Sequence, residues 1–328
     1  MALTTGSTTT FLVGSAGGNR EDLEDIIWEL DPLETYCLSN FDRVKADATF
    51  HEHELDTLVG PTANRQLEGN DFDAATVVSP TRVGNYCQIS KKEFIITGTQ
   101  ERVSKAGRKS DVKRQLKKQM KELKNDMEYA IVRNQGSSAG SATVPRSMGS
   151  IEAWIPSTEN SGNGVKATTT ASGSTAAFAA NVVAAPTDGS TTGAFNETQF
   201  KAALALAWAD GGSVDSVLLN DTNKALASAF SGVATKTHNV TGQVKPVIAG
   251  DVDFYVSAYG THKLILHRHV RSSTVLCLDS SYWAVAMLRA PFMEEMAKTG
   301  DGEKRALRAE YTLVSRNHSA SAKVTNCA

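Results

Sequence analysis

Four of the seven histidines form two i, i+2 pairs, His51/His53 and His267/His269. On strands, this spacing turns both rings of a pair to one face. Two such strands meeting would gather four imidazoles, a set that zinc accepts. Zinc sites usually add thiols or carboxylates at tight spacing, whereas the neighbours here are Glu52, Glu54 and Arg268, residue types that prefer solvent. No metal ligand is assigned. Cys37, Cys87, Cys277 and Cys327 lie far apart and make no CxxC, so they read as free thiols of a reducing compartment. Glu294 and Glu295 are paired carboxylates of the kind used in acid–base work, but they belong to no cleft motif. Neither GxxxxGK[ST] nor GxSxG occurs, and the glycine-rich stretch Gly14–Gly18 lacks both a preceding strand and dinucleotide spacing. Catalytic, cofactor-binding and metal residues are each expected to be none. The function must then lie in surfaces.

What could present such surfaces follows from composition and patterning. The 328 residues are 41% hydrophobic and 21% charged, an ordinary globular chain long enough to bury a real core. No run approaches the roughly 18 apolar residues of a membrane span. Met1–Gly18 is Thr/Ser/Gly-rich with no basic residue before Arg20, so it reads as a flexible arm rather than a secretory signal. A net charge of −2 disfavours a dedicated nucleic-acid binder. The charge is uneven, however. Residues 1–100 hold 7 basic and 16 acidic side chains, whereas residues 101–200 hold 13 and 9. An acidic first third and a basic middle can pair, within one chain or between copies.

Along the chain, Arg20–Leu30 carries an apolar stripe at Leu23, Ile26, Ile27 and Leu30 and predicts a short helix. Ala48–Leu58 and Val83–Thr97 read as extended, joined by polar Thr62–Pro80 with a Gly69-Asn70 turn. This is a long hairpin with few core-forming side chains, an element usually covered by another chain. The clearest element is a helix over 110–134, with Val112, Leu116, Met120, Leu123, Met127 and Ile131 on one face. Gly136 is expected to terminate it. Its other face carries Lys113, Arg114, Lys117, Lys118, Lys121 and Lys124. That face is a nucleic-acid or partner-binding surface, a simply solvated face, or a contact for an acidic segment of the same protein. Residues 136–195 are low in complexity, with short β pieces expected at Ile151–Ile155 and Phe178–Ala185.

Residues 195–278 alternate as a compact α+β unit. A capping box opens at Asn196, a helix runs to about Asp210, and Ser216–Leu219 is a buried strand. Asn220 starts a helix through Phe230, and strands follow at Lys245–Ile248, Val252–Ala258 and Lys263–Leu266. The last part predicts a strand at Tyr282–Leu288, a break at Pro291 and a tight turn at Thr299–Gly302. A half-buried strand at Ala306–Arg316 and a short one at Ala322–Thr325 close the chain.

The order of these elements resembles the Hong Kong 97 fold of tailed-phage major capsid proteins. Strings scattered along the chain are similar to one family of podovirus-like major head proteins, formerly a domain of unknown function. They are His53–Leu58, Glu68-Gly69, Arg82–Ile89, Ser104–Arg108, Glu122–Glu128, Lys298–Asp301 and Glu310–Leu313. The resemblance covers about residues 20–326 and implies an α+β subunit. Its expected parts are an N-arm (1–45), an extended β-hairpin or E-loop (46–88), and a P-domain (89–150) with its spine helix at 110–134. An A-domain (151–278) with a Ser/Thr/Gly-rich insertion at 157–194 follows, and then return strands to the P-domain (279–328).

The resemblance further implies self-assembly, as hexamers and pentamers, into the icosahedral head shell around double-stranded DNA. Portal and scaffolding or decoration proteins are implied partners, and the DNA would be touched weakly and non-specifically, with no membrane involved. The subunit would be made in the bacterial cytoplasm and end in the virion. Expected contact residues are Asn64, Arg65 and Glu68 at the hairpin tip and Arg114, Lys117, Lys121 and Lys124 on the helix. Glu21, Glu24 and Asp25 are expected contacts from the arm. Rival readings are an encapsulin-type compartment shell, a tail-tube or decoration protein, and an uncharacterised enzyme. The long amphipathic helix argues against a tube, and the missing motifs argue against an enzyme.

Overall fold

The computed structural model describes residues 35–56, 58, 60–69, 77, 79–105, 107–155, 164–166, 178–179, 182–186, 192–230, 253–298 and 300–327. The expected helix at 20–30 and strand at 245–248 lie outside these residues. The chain is α+β, and its described residues form three sheets and one long helix.

That helix, α3 (Asp111–Val132), begins where Ser110 accepts the Lys113 N–H and ends with the extended Arg133 as its C-cap, before Gly136 is reached. Val112, Leu123, Met127 and Ile131 are buried as the stripe requires, whereas Met120 is 40% exposed. The preceding α1 (Tyr36–Asn40) packs on α3, as does α2 (Gly98–Arg102).

The first sheet has four strands. β1 (Asp42–Lys45) runs parallel to β12 (Trp283–Glu295), which pairs with β13 (Gly302–Ser315), which pairs with β4 (Gln88–Thr97). Two expectations change here. Pro291 does not break β12: the strand continues through register shifts between Met287, Arg289 and Phe292, which leave the missing proline N–H opposite no ladder partner. β13 is not half-buried. Leu307, Ala309, Tyr311 and Leu313 enter the main core, while Thr312 and Val314 on its other face are buried too. Val44, Ala46 and Cys87 cover that second face near its β1 end.

The second sheet has the order β5-β14-β11-β8-β10-β9. Its strands are β5 (Gly164–Lys166), β8 (Ser216–Leu219), β9 (Phe254–Ser257), β10 (Gly260–Leu266), β11 (Thr274–Leu278) and β14 (Ala322–Thr325). On one face lie α5 (Glu197–Ala209), with the expected capping box at Asn196 and Gln199, and α6 (Asp221–Ser228). The final strand therefore joins this sheet, against β11, rather than returning with β12 and β13 to the sheet under the long helix. His267 and His269 follow β10 in a turn, not on a strand, so their rings do not share a strand face.

The third sheet, β2-β3-β7-β6, consists of β2 (Phe50–Leu55), β3 (Thr81–Tyr86), β6 (Phe178–Ala179) and β7 (Val182–Val183). The extended run 83–97 is thus two strands in two sheets, divided at Cys87. Ile151–Trp154 forms α4, a helical turn capped by Ser150, and not a β piece. A short apolar run cannot be told from a buried strand by period alone, and all four residues are buried. The main core joins α1, α3, α4, β3, β8, β11, β12 and β13 through residues such as Leu38, Val83, Trp154, Leu218 and Trp283. It crosses the boundaries expected from the sequence. All four cysteines are free and buried.

Candidate subunit-contact surface

β2 and β3 pair from Phe50↔Tyr86 to Leu55↔Thr81 and form the root of a ribbon. This root is better anchored than its polar sequence suggests. Val83 enters the main core. The Asn85 side chain is fully buried, donating to the Gly149 and Leu313 carbonyls at 3.0 and 2.8 Å and accepting the Gly149 N–H at 2.7 Å. Phe50 lies against Tyr86, with centroids 4.6 Å apart, and passes so close over Gly84 that a Cβ there would stand 2.5 Å from its Cζ. Glycine is needed at 84 for that close approach.

Beyond the root, the described residues of the connection stand away from the body. Leu58 is 97% exposed, Leu67 83% and Val77 91%. The expected contact residues Asn64, Arg65 and Glu68 are here and exposed, Glu68 in a turn with Gly69 at φ +84°. Gln66 donates to Asn64 Oδ1 at 3.0 Å. The three apolar side chains were not among the predicted contacts. Their signal was available: a few apolar residues (Leu58-Val59, Leu67, Val77-Val78) in an otherwise polar, turn-rich stretch.

The basic helix divides differently from the expectation. Arg114 is part of a cluster within the subunit, 3.5 Å from the buried carboxylate of Asp111, which also meets Lys105 at 3.3 Å and Arg108. Burial alone would raise the Asp111 carboxyl, but hydrogen bonds from Gln100, Lys105 and Arg108 outweigh it and hold it down to about 2. Glu101 beside it is likewise held down to about 2, first by Ser110 and then, against its desolvation, by the Asp111 N–H and Lys105. This cluster fixes the α2–α3 corner. Lys117 and Lys124 are exposed on the outer face, Lys121 is half-buried, and Lys118 sits 3.7 Å from Glu122. Glu21, Glu24 and Asp25 lie outside the described residues, so the two expected halves of the ionic contact are not brought together here.

Glu128, on the buried side of α3, is a structural anchor that patterning did not single out. Its carboxylate accepts the Cys37 N–H at 2.6 Å and the Leu38 N–H at 3.0 Å, and lies 3.1 Å from His267 Nε2. Both Glu128 and His267 are fully buried. The chain that follows the arm is thereby clamped to the long helix. His269 instead reaches Asn125 at 2.8 Å. No group of three or more His, Cys, Asp or Glu among the described residues is placed to hold a metal ion. No helix among them is long and apolar enough to cross a membrane.

A long amphipathic helix packed on a four-stranded mixed sheet, a second mixed sheet with its own helices, and an outstretched two-stranded ribbon define a subunit of the Hong Kong 97 capsid type. Solved structures share this fold across nearly the whole chain. The capsid of a native GTA particle matches with a TM-score of 0.62 at 11% identity, covering 96% of this chain and 98% of that one. Gordonia phage Cozz matches with a TM-score of 0.60 at 12% identity, covering 100% and 99%. In sequence, the major capsid protein of Escherichia phage Phieco32 is 23% identical over 342 residues, 95% of this chain and 96% of that protein. Residues 3–328 match the model of the SU10 major capsid protein family, and the chain belongs to that family. It is a structural protein of a phage head shell.

Proposed function

We propose that the subunit builds this shell by lending its ribbon to a neighbouring copy, with residues 56–80 as the principal contact. The observation that carries the reading is the exposure of Leu58, Leu67 and Val77 on an arm whose root is firmly anchored. Fully burying a Leu or Val side chain is worth about 1.5–3 kcal/mol, so covering these three would return roughly 5 kcal/mol or more per subunit. An exposed ion pair returns about 0–1 kcal/mol. The apolar contacts therefore set the affinity. Lys117, Lys121 and Lys124, facing acids such as Glu68 or Glu21, Glu24 and Asp25 of another copy, set register and approach. Arg114 is better understood as part of the corner cluster.

In this reading the chain has no catalytic role and no cofactor. Hexamers and pentamers of it close an icosahedral shell in the bacterial cytoplasm, because symmetry repeats each modest interface many times. Portal and scaffolding or decoration proteins complete the head, and the packaged DNA is touched without strong affinity, in keeping with a net charge of −2. The division into N-arm (1–45), E-loop (46–88), P-domain (89–150), A-domain (151–278) and return strands (279–328) is kept as a functional one, except that β14 belongs with the second sheet. The common core argues that the last three move as one body. Negative-stain microscopy of the purified chain tests the reading. Uniform closed shells are expected. Stacked rings would point to a tube, and dispersed monomers would contradict self-assembly.

A further inference from the structure

The hairpin of β9 and β10 holds a serine and a histidine in a relation that shell building does not call for. Its register sets Gly260 opposite Ser257 and His262 opposite Tyr255. Ser257 and His262 are thus diagonal neighbours on one face, and Gly260 has no side chain to come between them. Ser257 is half-buried and His262 fully buried. Ser257 Oγ lies 2.7 Å from His262 Nε2, and His262 Nδ1 lies 2.7 Å from the Val214 carbonyl oxygen.

The second contact fixes the first. A carbonyl only accepts, so in the neutral ring Nδ1 carries the proton and Nε2 presents its lone pair. The Ser257 hydroxyl therefore donates to Nε2, since its other acceptor, the Gly260 carbonyl, is farther away at 3.4 Å. The Tyr259 N–H donates to the same Oγ at 3.0 Å. The order is that of nucleophile, base and orienting group, with a backbone carbonyl in the third place. Phe200 of α5 meets the imidazole edge-on at 6.3 Å, and Tyr255 lies along it at 6.5 Å with its hydroxyl donated to Glu197 at 2.9 Å. Asp215, next to Val214, adds a negative charge on that side, and its Oδ1 accepts from the Ser216 hydroxyl and the Ser280 N–H at 3.2 and 3.0 Å.

We propose that Ser257 is an activated nucleophile, with His262 as its base, and that it takes up one acyl or phosphonyl group from a reagent that carries the group on a good leaving group. Ser257 Oγ bonds to the electrophilic carbon or phosphorus as its proton passes to His262 Nε2. The bond to the leaving group breaks with its electron pair, and the imidazolium returns the proton to the departing anion. The Tyr259 N–H eases the charge that builds on Oγ, and the Val214 carbonyl and Asp215 favour the imidazolium. Burial, the larger effect, holds His262 below its ordinary 6.5, so the ring is in its base form at neutral pH. Trp208, near the end of α5, and Tyr259, in the turn, have rings 6.0 Å apart and are 63% and 37% exposed, which gives an apolar group a surface to lie on. The site goes beyond shell building, requires no turnover and does not rest on the shared ribbon.

Fluorophosphonate labelling of the full-length chain, read by intact mass and peptide mapping, tests it. One label per subunit is expected on Ser257, on the order of a hundredfold faster than on the exposed Ser141. Ser257→Ala should lose it. His262→Gln should slow it on the order of a hundredfold with the circular dichroism unchanged. If that variant does not fold, the pH profile of the wild type takes its place. Assistance by His262 gives a rate that is level from about pH 7 to 9 and falls as the ring is protonated below 6.5, whereas an unassisted hydroxyl gains about tenfold per pH unit. No label, a label spread evenly over the serines, Ser257 labelled as fast in His262→Gln as in wild type, or a rate that keeps climbing through about pH 9 would each overturn the proposal.

Discussion

At the scale of single residues, a few buried charged groups tie elements together, and Glu310, Lys323 and Glu128 are tolerated because each has partners within hydrogen-bond reach. Glu310 is buried between Arg146 and Arg289, at 2.6 and 2.8 Å, and ties β13 to a loop and to β12. Lys323 is fully buried and donates to the Glu152 carbonyl at 2.6 Å. Glu128 receives two backbone N–H groups and faces His267, all away from water. Removing one partner of such a set leaves the rest unsatisfied, which costs more than the set contributed. Glu128→Ala is accordingly expected to lower stability by about 3–5 kcal/mol. A urea melt followed by far-UV circular dichroism checks this, and a shift under about 1 kcal/mol would mean that the clamp on Cys37 and Leu38 is redundant. Sequence gave no warning of these roles. Glu128 falls within a helix turn whose other charged residues face solvent, and only the fold brings residues 37 and 267 to it.

At the scale of elements, what was legible followed the strength of the local signal. The long helix was placed to within two residues at each end, because six apolar positions recur at helical spacing. The Asn196 capping box and the buried strand at 216–219 were equally clear. Ile151–Trp154, Pro291 and the partner of β14 were not, since each was decided by tertiary neighbours: a cap and a core pocket, a bulge, and a sheet edge. The basic helix face was legible as a pattern, but its six cations do not act alike. Arg114 is engaged by Asp111, whereas Lys117 is exposed. Charge reversal of Lys117 and Lys121 together to Glu is expected to slow assembly and to leave the melting temperature within about 3 °C, as for surface substitutions. Light scattering against time and a thermal melt measure the two. Normal assembly kinetics would remove the ionic part of the contact.

At the scale of the whole molecule, a subunit body with its own core carries an arm whose described residues beyond the root are exposed. Sequence showed the arm as a polar hairpin poor in core residues. It did not show how firmly the root is fixed, because Asn85, Gly84 and Val83 look like turn or surface residues until Gly149, Phe50 and the main core surround them. Rigidity at the root makes the ribbon a defined shape for a partner and lowers the entropy lost on docking. If the body is self-sufficient and the ribbon exists for a neighbour, the two can be separated. Replacing residues 56–80 by a short Asn-Gly turn between Leu55 and Thr81 does this directly. The account expects a folded, soluble subunit whose melting temperature stays within a few degrees of the parent and which forms no shells under the microscope. Normal shells from the shortened chain, or a chain that no longer folds, would contradict it.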